Sequence, residues 1–172
     1  MIEKQTIGID GGTGLPLVRP KNAGAADVLG AELEARVPLG ALGLPEATLL
    51  ANYTRQSAKL KDAATGTRRR LKDHPEDLGN LIARWENRRI GFAASAGLNY
   101  VGEAVDETVS PRKVTSPFLQ WDASIQQRLG LGISLQASAL NLLDEMKVKD
   151  DGLRREEERV GRTFYLGLNM EF

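Results

Sequence analysis

The closing stretch Gly161–Phe172 reads GRTFYLGLNMEF, and its alternation decides the fold. Apolar residues fall at Phe164, Leu166, Leu168, Met170 and Phe172. Thr163, Tyr165, Gly167, Asn169 and Glu171 lie between them. A period of two marks a β-strand with one apolar and one polar face. The stripe runs to the last residue.

The same period recurs upstream. VLGAELEARV sets Leu29, Ala31, Leu33, Ala35 and Val37 against Gly30, Glu32, Glu34 and Arg36. In ATLLANYTRQS, Leu49, Ala51 and Tyr53 oppose Asn52 and Thr54. IGFAASAGLNY puts Ile90, Phe92, Ala94, Ala96, Leu98 and Tyr100 on one side and small residues on the other. FLQWDASIQQRL and LGISLQASA repeat the pattern through Leu119, Trp121, Ala123 and Ile125, then Leu131, Ile133, Leu135, Ala137 and Ala139. These runs are about ten residues long. Strands of soluble proteins usually run about five or six, whereas a tilted strand crossing a bilayer needs about 9–11.

DLGNLIARWENRR is ambiguous. Leu78, Leu81, Ile82 and Trp85 have helical spacing, and Asp77 could cap a helix. Read as a strand, Ile82 is misplaced. Antiparallel order among the neighbours requires a strand, so a strand is expected. Leu140–Val160 is compatible with a helix or a mobile charged loop.

The connections alternate in length. Asn87-Arg88-Arg89, Gly130 and Pro38–Pro45 make short turns. Lys61–Pro75, Glu103–Pro117 and Glu145–Val160 make long polar loops. Short turns at one end and long loops at the other are the rhythm of outer-membrane barrels, periplasmic and extracellular respectively. The fold class expected is all-β: an antiparallel meander of about 7–8 long strands, with a further strand near Ile2–Ile9.

Composition removes several alternatives. The chain has 172 residues, with 23 basic and 23 acidic side chains, which gives no electrostatic case for nucleic acid. It has no Cys and one His, so thiolate and multi-histidine metal sites are excluded. No apolar run reaches the roughly 18 residues of a membrane helix. Average hydropathy is silent about barrels, in which the two faces cancel. Gly11-Gly12-Thr13-Gly14 lacks the Lys-Ser/Thr of a phosphate loop, and His74 beside Asp73 and Glu76 reads as solvated loop. Asp144, Glu145, Asp150 and Asp151 miss the spacing of a calcium loop. No arrangement for nucleophilic or acid–base catalysis is present, and neither an enzyme nor a cofactor is expected.

Ordered fragments of the chain resemble the C-terminal part of the barrel of TonB-dependent outer-membrane receptors. They are Asn22-Ala-Gly24 followed by Gly30-Ala-Glu32-Leu-Glu34, then Ala51-Asn-Tyr53-Thr54, Arg70-Leu71 through Pro75 to Asn80, Asn141-Leu-Leu-Asp144, and Gly161-Arg162-Thr-Phe164-Tyr165. The resemblance implies an incomplete transmembrane barrel in the outer membrane of a Gram-negative bacterium, with residues 1–172 forming a partial barrel domain. Such transporters have about 22 strands; the plug domain, the TonB box and the upstream strands are expected to be missing here. It implies nutrient uptake, most often of a ferric siderophore, energised by TonB acting through the plug. It also implies partners in outer-membrane lipid and the barrel-assembly machinery. Phe172, with Met170, Leu168 and Phe164, resembles the family's C-terminal assembly signal. Tyr53, Trp85, Tyr100 and Trp121 are candidates for an aromatic girdle at the lipid–water boundary, although Trp121 lies nearer mid-strand. Arg68-Arg69-Arg70 reads as a solvated loop run that could steer an anionic ferric chelate. Ligand-binding residues are not assigned. Two other readings remain: a small complete barrel acting as an adhesin or anchor, and a soluble β-sandwich or lipocalin-like binding module.

Overall fold

The computed structural model describes residues 2–63 and 65–170. In chain order the strands are β1 (Ile2–Ile9), β2 (Pro16–Asn22), β3 (Gly24–Pro38), β4 (Ala47–Asp62), β5 (Arg68–Arg70), β6 (Asp77–Asn87) and β7 (Phe92–Val101). They continue with β8 (Ala104–Asp106), β9 (Lys113–Thr115), β10 (Phe118–Gly130), β11 (Ile133–Leu140), β12 (Met146–Asp150), β13 (Arg155–Arg159) and β14 (Thr163–Met170). A single 3-10 turn, Leu39–Leu42, joins β3 to β4. No α-helix occurs among the described residues.

The main sheet is an antiparallel meander in the order β14-β11-β10-β7-β6-β4-β3, with β5 added to the outer end of β4. β3 and β14 are its two edges and do not pair with each other, so the sheet is open. The alternating pattern holds across every ladder. Ala35 faces Ala51, which faces Leu81; Leu81 faces Leu98, and Leu98 faces Trp121. One row along, Ala83, Ala96, Ala123, Ala139 and Phe164 align. Directly opposed residues share a face, so one face of the wall is apolar across seven strands. The other face carries Glu34–Asn52–Asn80–Asn99–Gln120 and Ser95–Ser124–Ser138–Tyr165.

β6 settles the ambiguous segment. It pairs along its length with both β4 and β7, so two ladders override its helical spacing. Leu81 and Trp85 join the apolar face. Ile82 lies on the polar face opposite Leu50 and Gly97. A Cβ at Gly97 would lie 3.5 Å from Ile82 Cγ1, an ordinary contact, so Ile82 packs directly over the glycine.

The short turns follow local chemistry. Leu131 and Gly132 both have positive φ (51° and 72°), the primed turn whose twist suits a two-residue hairpin. Asn87 Oδ1 accepts from the amides of Arg89 and Ile90, closing β6 into β7. Gly24 starts β3 at φ 140°, and a Cβ there would stand 2.0 Å from Lys61 O. No rotamer relieves a clash between Cβ and backbone. Gly24→Ala is therefore expected to cost on the order of 3 kcal/mol, read as a lower urea midpoint with an unchanged m-value.

The Leu140–Val160 region is neither a helix nor a mobile loop. It forms the hairpin β12–β13, which joins β8–β9 in a second sheet ordered β13-β12-β9-β8. The charge run fits because Lys147 opposes Glu158 and Lys149 opposes Glu156, and opposite charges across a ladder attract. Likewise, Arg68–Arg70 is strand β5 rather than loose loop.

The buried residues lie at the loop end. Leu60 is fully buried, and Ala58, Ala104, Val105, Asp106, Thr115 and Asn141 are buried with it. The apolar face of the wall is exposed: Leu33, Phe164 and Leu166 are each at least 70% accessible. Water would penalise that face by roughly 25 cal/mol per Å2 of apolar surface, and exposed apolar patches of this extent mark contact with another phase or partner.

Candidate functional site at the loop end

Three long loops meet above the polar face of the wall. The first, between β4 and β6, is tied to the second, between β7 and β10. Lys72 Nζ lies 2.7 Å from Asp106 Oδ2. The amide of Arg70 donates to Glu107 Oε2 at 3.0 Å, and that of Asp73 to Val105 O at 3.3 Å. The second loop is stitched to the third, between β11 and β14, by the β9–β12 ladder. Ser116 N donates to Val148 O at 2.8 Å, and Lys113 Nζ to Glu156 Oε2 at 2.7 Å. Loops that pair as a sheet have lost most of their freedom, which gives the mouth a fixed shape.

Asp106 is the buried charge in this arrangement. Burial pushes its carboxyl up, but Lys72 and the hydroxyl and amide of Thr108 outweigh that and hold it below the ordinary carboxylate value of 3.8. A folded pKa below the unfolded one stabilises above the unfolded value, and the gain is lost as pH falls through the folded value. The tie between the first two loops is thus intact at neutral pH and weakens below about 3.8. Asp106→Asn is expected to speed hydrogen exchange at the Asp73 amide about tenfold at pH 7. The difference from wild type should shrink as the pH is lowered.

Between the wall and the loop sheet lies a cavity of about 510 Å3. Val101 and Phe118 line it from the wall, Thr115, Lys147 and Lys149 from the loop sheet, and Asp73 from the first loop. Cavities of some 300–1,000 Å3 with a few polar groups suit small ligands. Beneath it the wall bears a polar ladder. Asp122 accepts from Asn99 Nδ2 at 3.2 Å, from Gln120 Nε2 at 2.8 Å and from the amide of Asn141 at 2.9 Å. Asn80 Nδ2 donates to Asn52 Oδ1 at 2.8 Å, and the Ser95 and Ser124 hydroxyls are 2.8 Å apart.

Residues 2–142 match the family described as TonB dependent receptor-like, beta-barrel. The chain belongs to the TonB-dependent receptor β-barrel family. Its structure is similar to that of the siderophore receptor PiuA from Acinetobacter baumannii, with a TM-score of 0.64 and 16% identity. The match covers 97% of this chain and 24% of that receptor, so the chain spans about a quarter of its structural relative. At that identity the likeness is one of fold. No curated protein matches the chain by sequence.

The aromatic residues of this receptor barrel wall fall into two groups. Tyr53 and Tyr100 flank Gly79 in one cross-strand row at the loop end of the apolar face. Trp121 faces the same way one row further in, opposite Leu98. Trp85 lies at the short-turn end and packs against Phe92, ring centroids 5.6 Å apart. Phe164, Leu168 and Met170 lie on the exposed apolar face of the edge strand β14; Phe172 lies outside the described residues.

The cavity lysines were not singled out from the sequence, because Lys147 and Lys149 sit in a charged run whose placement depends on the β9–β12 pairing. His74 lies in the first loop, with Nε2 buried and without a hydrogen-bond partner among the described residues. The glycine-rich segment before β2 is a tight turn in which Asp10 Oδ1 accepts from the amides of Gly12 and Thr13. Among the described residues no cluster of His, Asp or Glu is arranged to hold a metal.

Proposed function

We propose that this chain forms part of the wall and mouth of an outer-membrane TonB-dependent receptor that imports a ferric siderophore. The carrying observation is the in-register apolar face across seven strands, opposed by a polar one. In this reading the apolar face meets lipid and the polar face lines a wet interior. The plug domain, further strands and the coupling to TonB are supplied from outside these 172 residues. The chain's part is conduit and capture rather than catalysis, and the siderophore assignment draws on the likeness to PiuA.

Tyr53, Tyr100 and Trp121 would form the outer aromatic girdle, and Trp85 with Phe92 the inner one. Tyr100 lies eight residues beyond Phe92 on β7. At about 3.3 Å per residue and a tilt near 40°, that is roughly 20 Å of height, close to the apolar band of about 25 Å in such barrels. Phe164, Leu168 and Met170, followed by Phe172, would present the signal read by the barrel-assembly machinery. Lys147 and Lys149 would draw an anionic chelate into the cavity. An open sheet edge is not tolerated in hydrocarbon, so β3 and β14 must each find a further strand.

Cysteine labelling in intact outer membranes tests the reading, and the chain's lack of Cys leaves each introduced thiol to report alone. Leu81→Cys, Leu98→Cys and Leu166→Cys should resist a water-soluble maleimide, while Asn99→Cys and Gln136→Cys react. Equal labelling of both sets would sink it.

A further inference from the structure

On the polar face of the seven-stranded wall, the cations gather at the short-turn end. Among the described residues they are Arg36 of β3, Arg84 of β6 and Arg128 of β10. Further toward the loops the same face presents carboxylates and neutral groups, among them Glu32, Glu34, Asn52, Asn99 and Asp122. Arg36 stands opposite Leu50 and Arg84 opposite Thr48, from the two sides of β4. That sets the two arginines about 10 Å apart across the sheet. With Arg88 and Arg89 of the β6–β7 turn, and with Glu46 and Glu86, they line a hollow of about 490 Å3. Arg84 and Arg88 also line an adjoining hollow of about 180 Å3, together with Arg128. The backbone fixes Arg128 there: its amide donates to Gly91 O at 2.8 Å, and a Cβ at Gly91 would stand 2.9 Å from Arg128 Cβ. Five guanidinium groups thus share two carboxylates. Arg88 takes Glu86, Nε to Oε1 3.3 Å. Arg36, Arg84, Arg89 and Arg128 have no ion pair among the described residues. A concave wall lined by one sign of charge concentrates the opposite ion.

We infer that this hollow binds a small oxyanion carrying two or more carboxylate or phosphate groups, as an exit-side station for anionic cargo. The inference rests on the polar face lining a wet interior, and it deepens the import reading. A guanidinium fork takes carboxylate or phosphate oxygens through paired hydrogen bonds. Two forks on either side of β4 can each take one group of the same molecule, so a monovalent anion gains only half of the contact. Depth separates this station from the mouth. Val101, which lines the lysine cavity, pairs with Leu78, and Arg84 lies six residues further along β6. That is about 20 Å of strand and roughly 15 Å of depth at the tilt of a barrel. The wall between the two stations offers an anion no cation. Cargo released by Lys147 and Lys149 next meets positive charge among the arginines, at the end that carries the short turns.

The test titrates the full chain, held in non-ionic detergent at low ionic strength, with citrate, pyrophosphate and acetate by calorimetry. K147Q/K149Q serves as the background, so that the mouth lysines do not contribute. Citrate or pyrophosphate should bind at least tenfold more tightly than acetate, and the stronger of the two tells a carboxylate station from a phosphate one. Adding R36Q/R84Q should weaken that binding at least tenfold. Adding R154Q/R155Q, which removes equal charge at the loop end, should leave it unchanged. Unaltered affinity in the R36Q/R84Q variant, or acetate held as tightly as citrate and pyrophosphate, would overturn the proposal. Capture of hexaglutamate in preference to both small anions would overturn it too, since the hollow would then be a protein-docking surface. The labelling contrast between Leu98→Cys and Asn99→Cys is scored separately. If the contrast holds and the anions fail to bind, only the exit station falls; if the contrast is lost, the membrane reading falls as well.

Discussion

Ala96→Arg should destabilise the folded wall in a bilayer by about 2–4 kcal/mol, whereas Ala93→Arg three residues earlier should be nearly neutral. Ala96 is the middle residue of its row on β7, between Ala83 and Ala123, on the apolar face. An arginine there would sit near the hydrocarbon midplane. Ala93 is on the opposite face, beside Glu86 and Gln126, where a guanidinium gains a carboxylate and stays hydrated. The contrast comes chiefly from orientation, with Ala96 also three residues deeper along the same strand. It is measured by denaturant titration of the protein folded in vesicles, following the heat-modifiable band on a gel. On a soluble monomer the exposed Ala96 site would tolerate arginine within about 0.5 kcal/mol, so equal stability of the two variants rejects the lipid-facing assignment.

The second large effect is expected at Asn141. It is buried, and its positive φ of 53° is one Asn adopts more readily than most residues. Its Nδ2 donates to the carbonyls of Glu145 and Gly161, at 3.1 and 3.3 Å, and its Oδ1 accepts from the Glu145 amide at 2.9 Å. One side chain thus closes the base of the β11–β14 loop on both sides. Asn141→Ala leaves three half-buried backbone groups of Glu145 and Gly161 without this partner and adds left-handed strain, for roughly 3 kcal/mol in all. Asn141→Gly should recover only the strain, about 1 kcal/mol. Proteolysis of the third loop should rise in both variants, and more in the alanine one. If loop protection is unchanged, the hydrogen bonds assigned to Asn141 do not hold the loop.

The wall was legible in the sequence because its chemistry is local. Six alternating runs, from VLGAELEARV to FYLGLNM, carry their own period, and strand order follows from turn lengths. Even the DLGNLIARWENRR segment was recoverable, since an antiparallel meander cannot skip a strand. Its misfit, Ile82, needed the structure: across the ladders it meets Leu50 and Gly97, and nothing near Ile82 in the sequence says so. The motif Asn141–Asp144 could be matched to a family, but its reason is geometric: two left-handed residues, 141 and 144, close a turn. The loop sheet was not legible. β8, β9, β12 and β13 are three to five residues long, too short for a period. The β9–β12 pairing joins segments some thirty residues apart, and the β12–β13 hairpin is matched by opposite charges and not by an apolar stripe. The cavity lysines inherit that difficulty, because their placement depends on which strand a short charged segment chooses as its neighbour.

The interior of this molecule lies outside the span assigned to the bilayer, packed among Leu60, Val105 and their neighbours. On the wall, one greasy residue can replace another with little to disturb. Above it, every segment is held by a second segment remote in the chain. The portion turned toward the surroundings is therefore the portion least free to drift, and insertions or tags should be accommodated at hairpin tips such as residues 109–112 and 151–154.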